Sequence, residues 1–188
     1  MIFFCIFAKL VFSILAYVMK NFQSINFTSL QENVAKLIGA DWMLITAGNQ
    51  CNYNTMTASW GGLGHLWNKN VAFIFVRPQR YTFEFLEREN LFTLSFFNEQ
   101  FREALQICGK KSGRDSEKVS EAGLSPIATP SGSIAFDESH LVLECRKLYT
   151  EFLKADAFVE KELIGKVYPE SDFHKMYVGE IIASYLKK

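Results

Sequence analysis

The sequence predicts a mainly β fold, a closed β-barrel with a few helices on its outside, and three observations carry that expectation. Short apolar runs rich in Val, Ile, Thr and aromatic residues recur along the chain, each closed by Gly, Pro, Asn or Asp. Only two segments carry helical spacing, too few for the strand–helix alternation of a doubly wound sheet. The 188 residues are 49% hydrophobic and include 18 phenylalanines, enough apolar material for one core without disulfide staples.

In chain order, Trp42–Ala47 reads as a strand that turns at Gly48-Asn49. Asn54–Trp60 is β-compatible and is closed by Gly61-Gly62. Val71–Val76 is apolar on both alternating faces, as expected of a strand buried on two sides, and Pro78 ends it. A short helix over Thr82–Arg88 leads to a strand at Leu91–Phe97. Asn98 is a good N-cap, and Phe101, Ala104, Leu105 and Cys108 fall on one helical stripe, with Gly109 as its stop. Strands at Ser133–Phe136 and Leu141–Leu148 flank an Asp137-Glu138-Ser139 turn, and Glu144 and Arg146 give the second of these a wetter face. Met176–Tyr185 closes the chain as a last strand. No linker, repeat or low-complexity tract interrupts residues 20–188, which read as one domain.

Residues 1–19 stand apart as an apolar leader broken by Lys9, where a charge costs about 2.5–3.5 kcal/mol in a bilayer. No basic residue precedes its apolar core, so it is a poor signal peptide. An extension arising from an upstream start, a membrane anchor and a packed helix all remain open for it. The body is expected to be cytoplasmic, with membrane binding disfavoured. Twenty basic residues balance twenty acidic ones, leaving no excess charge to drive nucleic-acid binding. Cys5, Cys51, Cys108 and Cys145 are far apart with no C-x-x-C, which argues against a zinc site or a disulfide scaffold and for a reducing compartment. His65, His140 and His174 lack metal-ligand spacing, so no metal is expected.

Two segments could carry chemistry. Asn54–Gly62 combines small hydroxyls, Trp60 and paired glycines, which would let a flat ring approach the main chain closely. An ordinary β-edge with a glycine turn explains the same residues. Arg77-Pro78-Gln79-Arg80-Tyr81-Thr82 sets two guanidinium groups at a strand end just before a helix, a combination suited to a phosphate. Solvation, or pairing with Glu84 and Glu87, remains the open alternative. Lys110–Asp115 is a basic, glycine-bearing loop that suits an anion and equally a plain charged surface. Neither a Walker phosphate loop nor a complete dinucleotide fingerprint is present.

Taken in order, Asn54-x-Met56-Thr57-Ala58-Ser59-Trp60-Gly61, Arg77-Pro78-x-Arg80-Tyr81-Thr82, Phe92-x-x-Ser95-Phe96, Cys108-Gly109-x-x-Ser112-Gly113-Arg114-Asp115 and His174-x-x-x-Val178-Gly179-Glu180 resemble the flavin reductase-like, FMN-binding split-barrel family, in its flavoredoxin branch. The resemblance spans residues 30–186 and implies a Greek-key-like, six-stranded antiparallel split barrel that forms a homodimer and binds FMN noncovalently. It further implies that Met56, Thr57, Ala58, Ser59 and Trp60 line the flavin ring, through main-chain N–H groups and the hydroxyls of Thr57 and Ser59. Arg80, Tyr81 and Thr82, with Arg77 and Lys111, would form the phosphate end, and Ser95 and Phe96 would sit beside the ribityl chain or ring. His174 would stand at the reactive edge as the catalytic candidate, where NAD(P)H docks as co-substrate. Phe173 precedes His174 where the family more often has Asp, and Asp172 is displaced by one residue, so a His–carboxylate pair is not expected to form in the usual way. The activity implied is NAD(P)H-dependent flavin reduction, or electron transfer of the flavoredoxin kind with a redox protein as donor.

Overall fold

Ten strands and five short α-helices make up the computed structural model, which describes residues 19–188. The expectations for the leader lie outside these residues except at Met19, which is buried against Phe22, Ala135, Val142 and Tyr185. The strands are β1 (Phe22–Ile25), β2 (Met43–Asn49), β3 (Asn52–Ala58), β4 (Gly61–Leu66), β5 (Lys69–Val76), β6 (Leu91–Phe96), β7 (Pro126–Ala128), β8 (Ile134–Phe136), β9 (Leu141–Phe152) and β10 (Lys175–Lys187). The helices are α1 (Val34–Gly39), α2 (Tyr81–Arg88), α3 (Arg102–Lys110), α4 (Lys118–Glu121) and α5 (Glu162–Val167).

Eight strands form one antiparallel sheet in the order β3-β2-β6-β9-β10-β5-β4, with β1 paired to the far end of β10, while β7 and β8 form a separate ribbon. The two edge strands of the main path, β3 and β4, are consecutive in sequence and joined only by Ser59 and Trp60. So short a connection obliges the sheet to curl until its edges meet at that end, which makes a barrel with a split in its wall. The main sheet therefore has eight strands where six were expected. Gly61-Gly62 does not close a strand but begins β4, and β1 adds to the C-terminal strand.

Inside the barrel, Leu37, Ile45, Ile74, Phe85, Leu86, Phe92, Leu94 and Tyr177 belong to one cluster, each no more than 2% exposed. A second cluster lies under α3, where Ala104, Leu105 and Cys108 pack with Leu44, Phe97 and Phe136. That stripe is the one expected from the sequence, with two differences. Phe101 lies in a 3-10 turn (Glu99–Phe101) ahead of the helix, and the Asn98 side chain makes no capping bond. Gly109 sits within α3 instead of ending it, and a Cβ there would lie 3.3 Å from the Thr57 Cβ, so glycine lets the helix approach β3. The wetter face expected of the Leu141 strand is also absent at Glu144, which is fully buried and accepts a hydrogen bond from Thr129 Oγ1. Exposure in β9 begins only at Arg146.

Candidate functional site

The split in the barrel wall is lined by chemistry of two kinds. At the end of β3 a cavity of about 220 Å³ is bounded by Met56, Thr57, Ala58, Ser59, Trp60, Phe75, Arg77, Arg80 and His174. Since β3 is an edge strand, main-chain groups on its open side have no strand partner and are available to a ligand. Trp60 is 49% exposed at the mouth of this cavity, and its ring centroid lies 5.0 Å from that of His174. The Thr57 hydroxyl donates to the main-chain oxygen of Leu105 in α3, so it is already committed as a donor. Ser59 is half-buried between this cavity and a neighbouring one against α3.

Beyond Met56 and Arg80, which border both spaces, lies a second cavity of about 190 Å³. Its walls carry Tyr81 and Thr82 from the first turn of α2, the Lys110-Lys111-Ser112 end of α3, and Lys118 from α4. Pro78 ends β5, the chain turns with Arg80 N–H bonded to the Arg77 carbonyl, and α2 starts at Tyr81 without a side-chain cap. The Phe83 N–H is bonded to the Arg80 carbonyl, which leaves the N–H groups of Tyr81 and Thr82, two residues that line the cavity, without a cap beside positive side chains. Thr82 is fully buried, and its hydroxyl accepts a bond of 2.7 Å from Asn54 Nδ2. Asn54 is itself held from behind by Gly113, where a Cβ would fall 2.1 Å from Asn54 Oδ1.

Charge in this second cavity is poorly compensated. The Arg80 guanidinium makes no hydrogen bond or ion pair among the described residues, and burial pulls its pKa below the usual arginine range. Lys118 is 3% exposed and donates only to the main-chain oxygens of Cys108 and Lys111, at 3.5 and 3.3 Å. Desolvation, reinforced by the positive charge of Arg80, pulls Lys118 down to about 8. Two desolvated cations without a carboxylate are costly to keep unless an anion joins them. Lys111, at the rim, is paired with Glu121.

Apart from Arg80, which borders both cavities, the charge around the first cavity is satisfied. Arg77 pairs with Asp172, donates to the Val167 oxygen at 2.9 Å and lies 5.3 Å from the Tyr168 ring centroid. Asp172 also accepts from Gln79, and that bond together with the one from Arg77 holds its carboxyl below the ordinary range. His174 is bonded at Nδ1 to the Tyr168 hydroxyl at 2.9 Å, with no carboxylate against it. Burial, aided by Arg77, pulls His174 down to about 4, so the ring is neutral at physiological pH.

The expected site residues thus separate by place. Met56, Thr57, Ala58, Ser59, Trp60 and His174 meet at the ring-side cavity, while Arg80, Tyr81, Thr82 and Lys111 border the basic one. Arg77 was expected at the phosphate end, but its side chain lies on the ring side and is occupied by Asp172, because Pro78 turns the chain between the two arginines. Ser95 and Phe96 are fully buried in β6 and line neither cavity; β2 and β9 enclose them on both sides, and Ser95 Oγ has no partner. Sequence reasoning passed over Lys118 and Tyr168. A lysine at the start of a short polar helix reads as solvated, and only its burial distinguishes it. The Tyr168-x-x-x-Asp172-Phe173-His174 spacing was the one available hint that a hydroxyl replaces the carboxylate beside the histidine.

Among the described residues no helix is long and apolar enough to cross a membrane, and no cluster of His, Cys, Asp and Glu could hold a metal ion. The family model described as the flavin reductase like domain matches residues 36–188. Similar solved structures include an FMN-binding domain of a flavin reductases-like enzyme from Shewanella baltica, with 15% identity, 89% of this chain and 78% of that one covered, and a TM-score of 0.65. A flavoredoxin from Methanosarcina acetivorans gives 22% identity over 79% of this chain and 69% of its own, with a TM-score of 0.61. An NADH:FAD oxidoreductase from Streptomyces globisporus, in complex with NAD and FAD fragments, gives 14% identity, 77% and 73% coverage, and 0.57. No curated protein matches by sequence.

Proposed function

The chain belongs to the flavin reductase-like family, and on that premise we propose that it is an FMN-binding oxidoreductase that takes hydride from NAD(P)H. The observation that carries this reading is the pairing of two abutting cavities: one open to main-chain groups and small side chains, the other lined by Arg80 and Lys118 without a counter-anion. Arg80, Lys118 and the first turn of α2 would hold the FMN phosphate, an arrangement in which charge-assisted bonds replace lost hydration. The Met56–Trp60 segment would receive the ring, with Trp60 shielding the side that faces solvent. When bound, FMN would supply the hydride and electron chemistry, and the chain would orient it. Main-chain donors along β3 favour negative charge on a ring placed there. A neutral His174 offers one ring nitrogen to a ligand while Tyr168 engages the other, and it adds no positive charge to the site.

The test is the visible spectrum of the purified protein followed by NAD(P)H oxidation with added FMN. A yellow protein that oxidises NAD(P)H faster than free flavin does supports the proposal; a colourless protein that takes up no FMN removes it. A second reading, a flavoredoxin-type carrier reduced by a protein partner, is favoured by one observation. Apart from Arg80, the only cation lining the ring-side cavity is Arg77, already neutralised by Asp172, so that side offers a nicotinamide dinucleotide no unpaired charge for its phosphates. Tight FMN with negligible NAD(P)H turnover selects this second reading. A homodimer in the cytoplasm belongs to both readings; exposed Trp67, Tyr149 and Phe152 are apolar surface that a second copy would cover, and light scattering gives the mass.

A further inference from the structure

The His174 ring is held between two aromatic neighbours. The Trp60 ring lies against it with centroids 5.0 Å apart at 46°, and the Tyr168 ring meets it edge-on at 5.5 Å and 78°. The His174 main-chain oxygen accepts from the Leu153 N–H at 2.9 Å, which ties the residue before β10 to the residue after β9. In this setting Nδ1 lies 2.9 Å from the Tyr168 hydroxyl, and Nε2 has no hydrogen-bond partner among the described residues.

Protons can be counted across that bond. Burial and the charge of Arg77 keep the imidazole neutral at neutral pH, so the ring carries one proton and the phenol carries another. Either the hydroxyl donates to a bare Nδ1, or a protonated Nδ1 donates to the hydroxyl oxygen. The second arrangement leaves the hydroxyl hydrogen in need of another acceptor, and among the described residues Tyr168 has none, although it is only 5% exposed. Asp172 does not serve, because its Oδ2 accepts from Arg77 and Gln79 and its Oδ1 is buried without a partner. A buried hydroxyl hydrogen left unbonded is costly, so the first arrangement is favoured and the ring proton sits on Nε2. A carboxylate in the place of Tyr168 would do the opposite: it can only accept, so it would hold the proton on Nδ1 and leave Nε2 bare as a base.

We propose that Tyr168 is a positioning residue whose hydroxyl holds His174 in the Nε2–H form, so that this histidine offers the ring-side cavity a hydrogen-bond donor and not a base. The assignment deepens the flavin reading above, since it states what His174 can offer a bound ring, yet it is read on the flavin-free chain and the two can fail separately. The experiment is multiple-bond proton–nitrogen NMR of the 15N-labelled, flavin-free chain at neutral pH. The expected result is a His174 proton bonded to Nε2, with Nδ1 free of a bonded proton and coupled across the hydrogen bond to the Tyr168 hydroxyl proton. Tyr168→Phe removes the hydroxyl alone and keeps the ring that packs on Phe158 and Phe173. It should abolish the coupling and let the Nδ1–H form appear, so that the two His174 nitrogen shifts move toward each other. The nitrogens of His65 and His140, neither of which is bonded to Tyr168, should stay in place and show that the variant is folded. A wild-type ring with its proton on Nδ1 overturns the proposal, and so does a folded Tyr168→Phe in which both His174 nitrogens are unmoved. If the variant does not fold, the position of the proton in the wild type still decides. A chain that takes up no FMN removes the flavin reading and leaves the tautomer as measured.

Discussion

Arg77 and Arg80 lie three residues apart on either side of one turn, yet they occupy opposite electrostatic states. Arg77 is paired with Asp172, bonded to the Val167 oxygen and laid against Tyr168, so it fastens the connection between β9 and β10 to the barrel rim. Arg80 is desolvated with no anion, and the buried Lys118 adds positive charge to the same cavity. The difference teaches that identity and proximity do not mark a ligand-binding arginine; unmet charge does. A satisfied guanidinium contributes to the fold, and an unsatisfied one lowers stability until an anion arrives.

The largest test of that contrast is Arg80→Ala. Removing a charge-assisted bond to phosphate is expected to weaken FMN by about 1.5–3 kcal/mol, read by fluorescence titration, and unchanged affinity would remove Arg80 from the site. A smaller loss, about fivefold to tenfold, is expected for Lys118→Met, with riboflavin binding unaltered because riboflavin has no phosphate. Lys118 also gives the contrast a pH signature. Its folded pKa, about 8, lies below its ordinary value of 10.5, so between those values the unfolded chain binds more protons and this residue's contribution to stability rises with pH. Bound phosphate favours the charged lysine, so FMN affinity should fall as pH rises above about 8 in the wild type and not in Lys118→Met.

Arg77→Gln should act on the other side of the comparison. Phosphate affinity is expected to stay within about twofold, while amide exchange quickens through residues 155–174, where Arg77 is the cross-brace. A large loss of FMN affinity would mean that the two arginines share one task. The smallest effect is expected at His174. With its pKa pulled down to about 4, it keeps one charge state above roughly pH 5, so NMR of its ring should show no titration through neutrality and rates should show no inflection from it there. Between about 4 and the ordinary 6.5 the unfolded chain takes up the proton first, so acidification through that window destabilises the fold.

Much of the barrel was legible because buried strands and turns announce themselves locally. Val71–Val76 runs as a strand between β4 and β10, with Val71, Ala72, Ile74 and Val76 buried although Phe73 and Phe75 stay partly exposed, and the Ala104, Leu105 and Cys108 stripe packs where its spacing directs. Other features were illegible because their cause is remote in sequence. Glu144 interrupts an apolar run and reads as exposed, but it is fully buried and Thr129 donates to it from fifteen residues away. Ser95 and Phe96 belong to a motif in the expected order, yet they lie in a strand between β2 and β9 where packing on opposite faces buries each of them.

The sequence by itself determined the strand-rich architecture and the two segments, Asn54–Trp60 and Arg77–Thr82, that border the cavities, since each is written in a pattern of a few neighbouring residues. Only the tertiary structure decided which cations are spent and which are free. Arg77 meets Asp172 across 95 residues, and Lys118 is buried against Cys108 and Lys111 by the packing of α4 on α3. Pairing and desolvation depend on what folding brings within a few ångströms, and linear spacing carries no record of that distance.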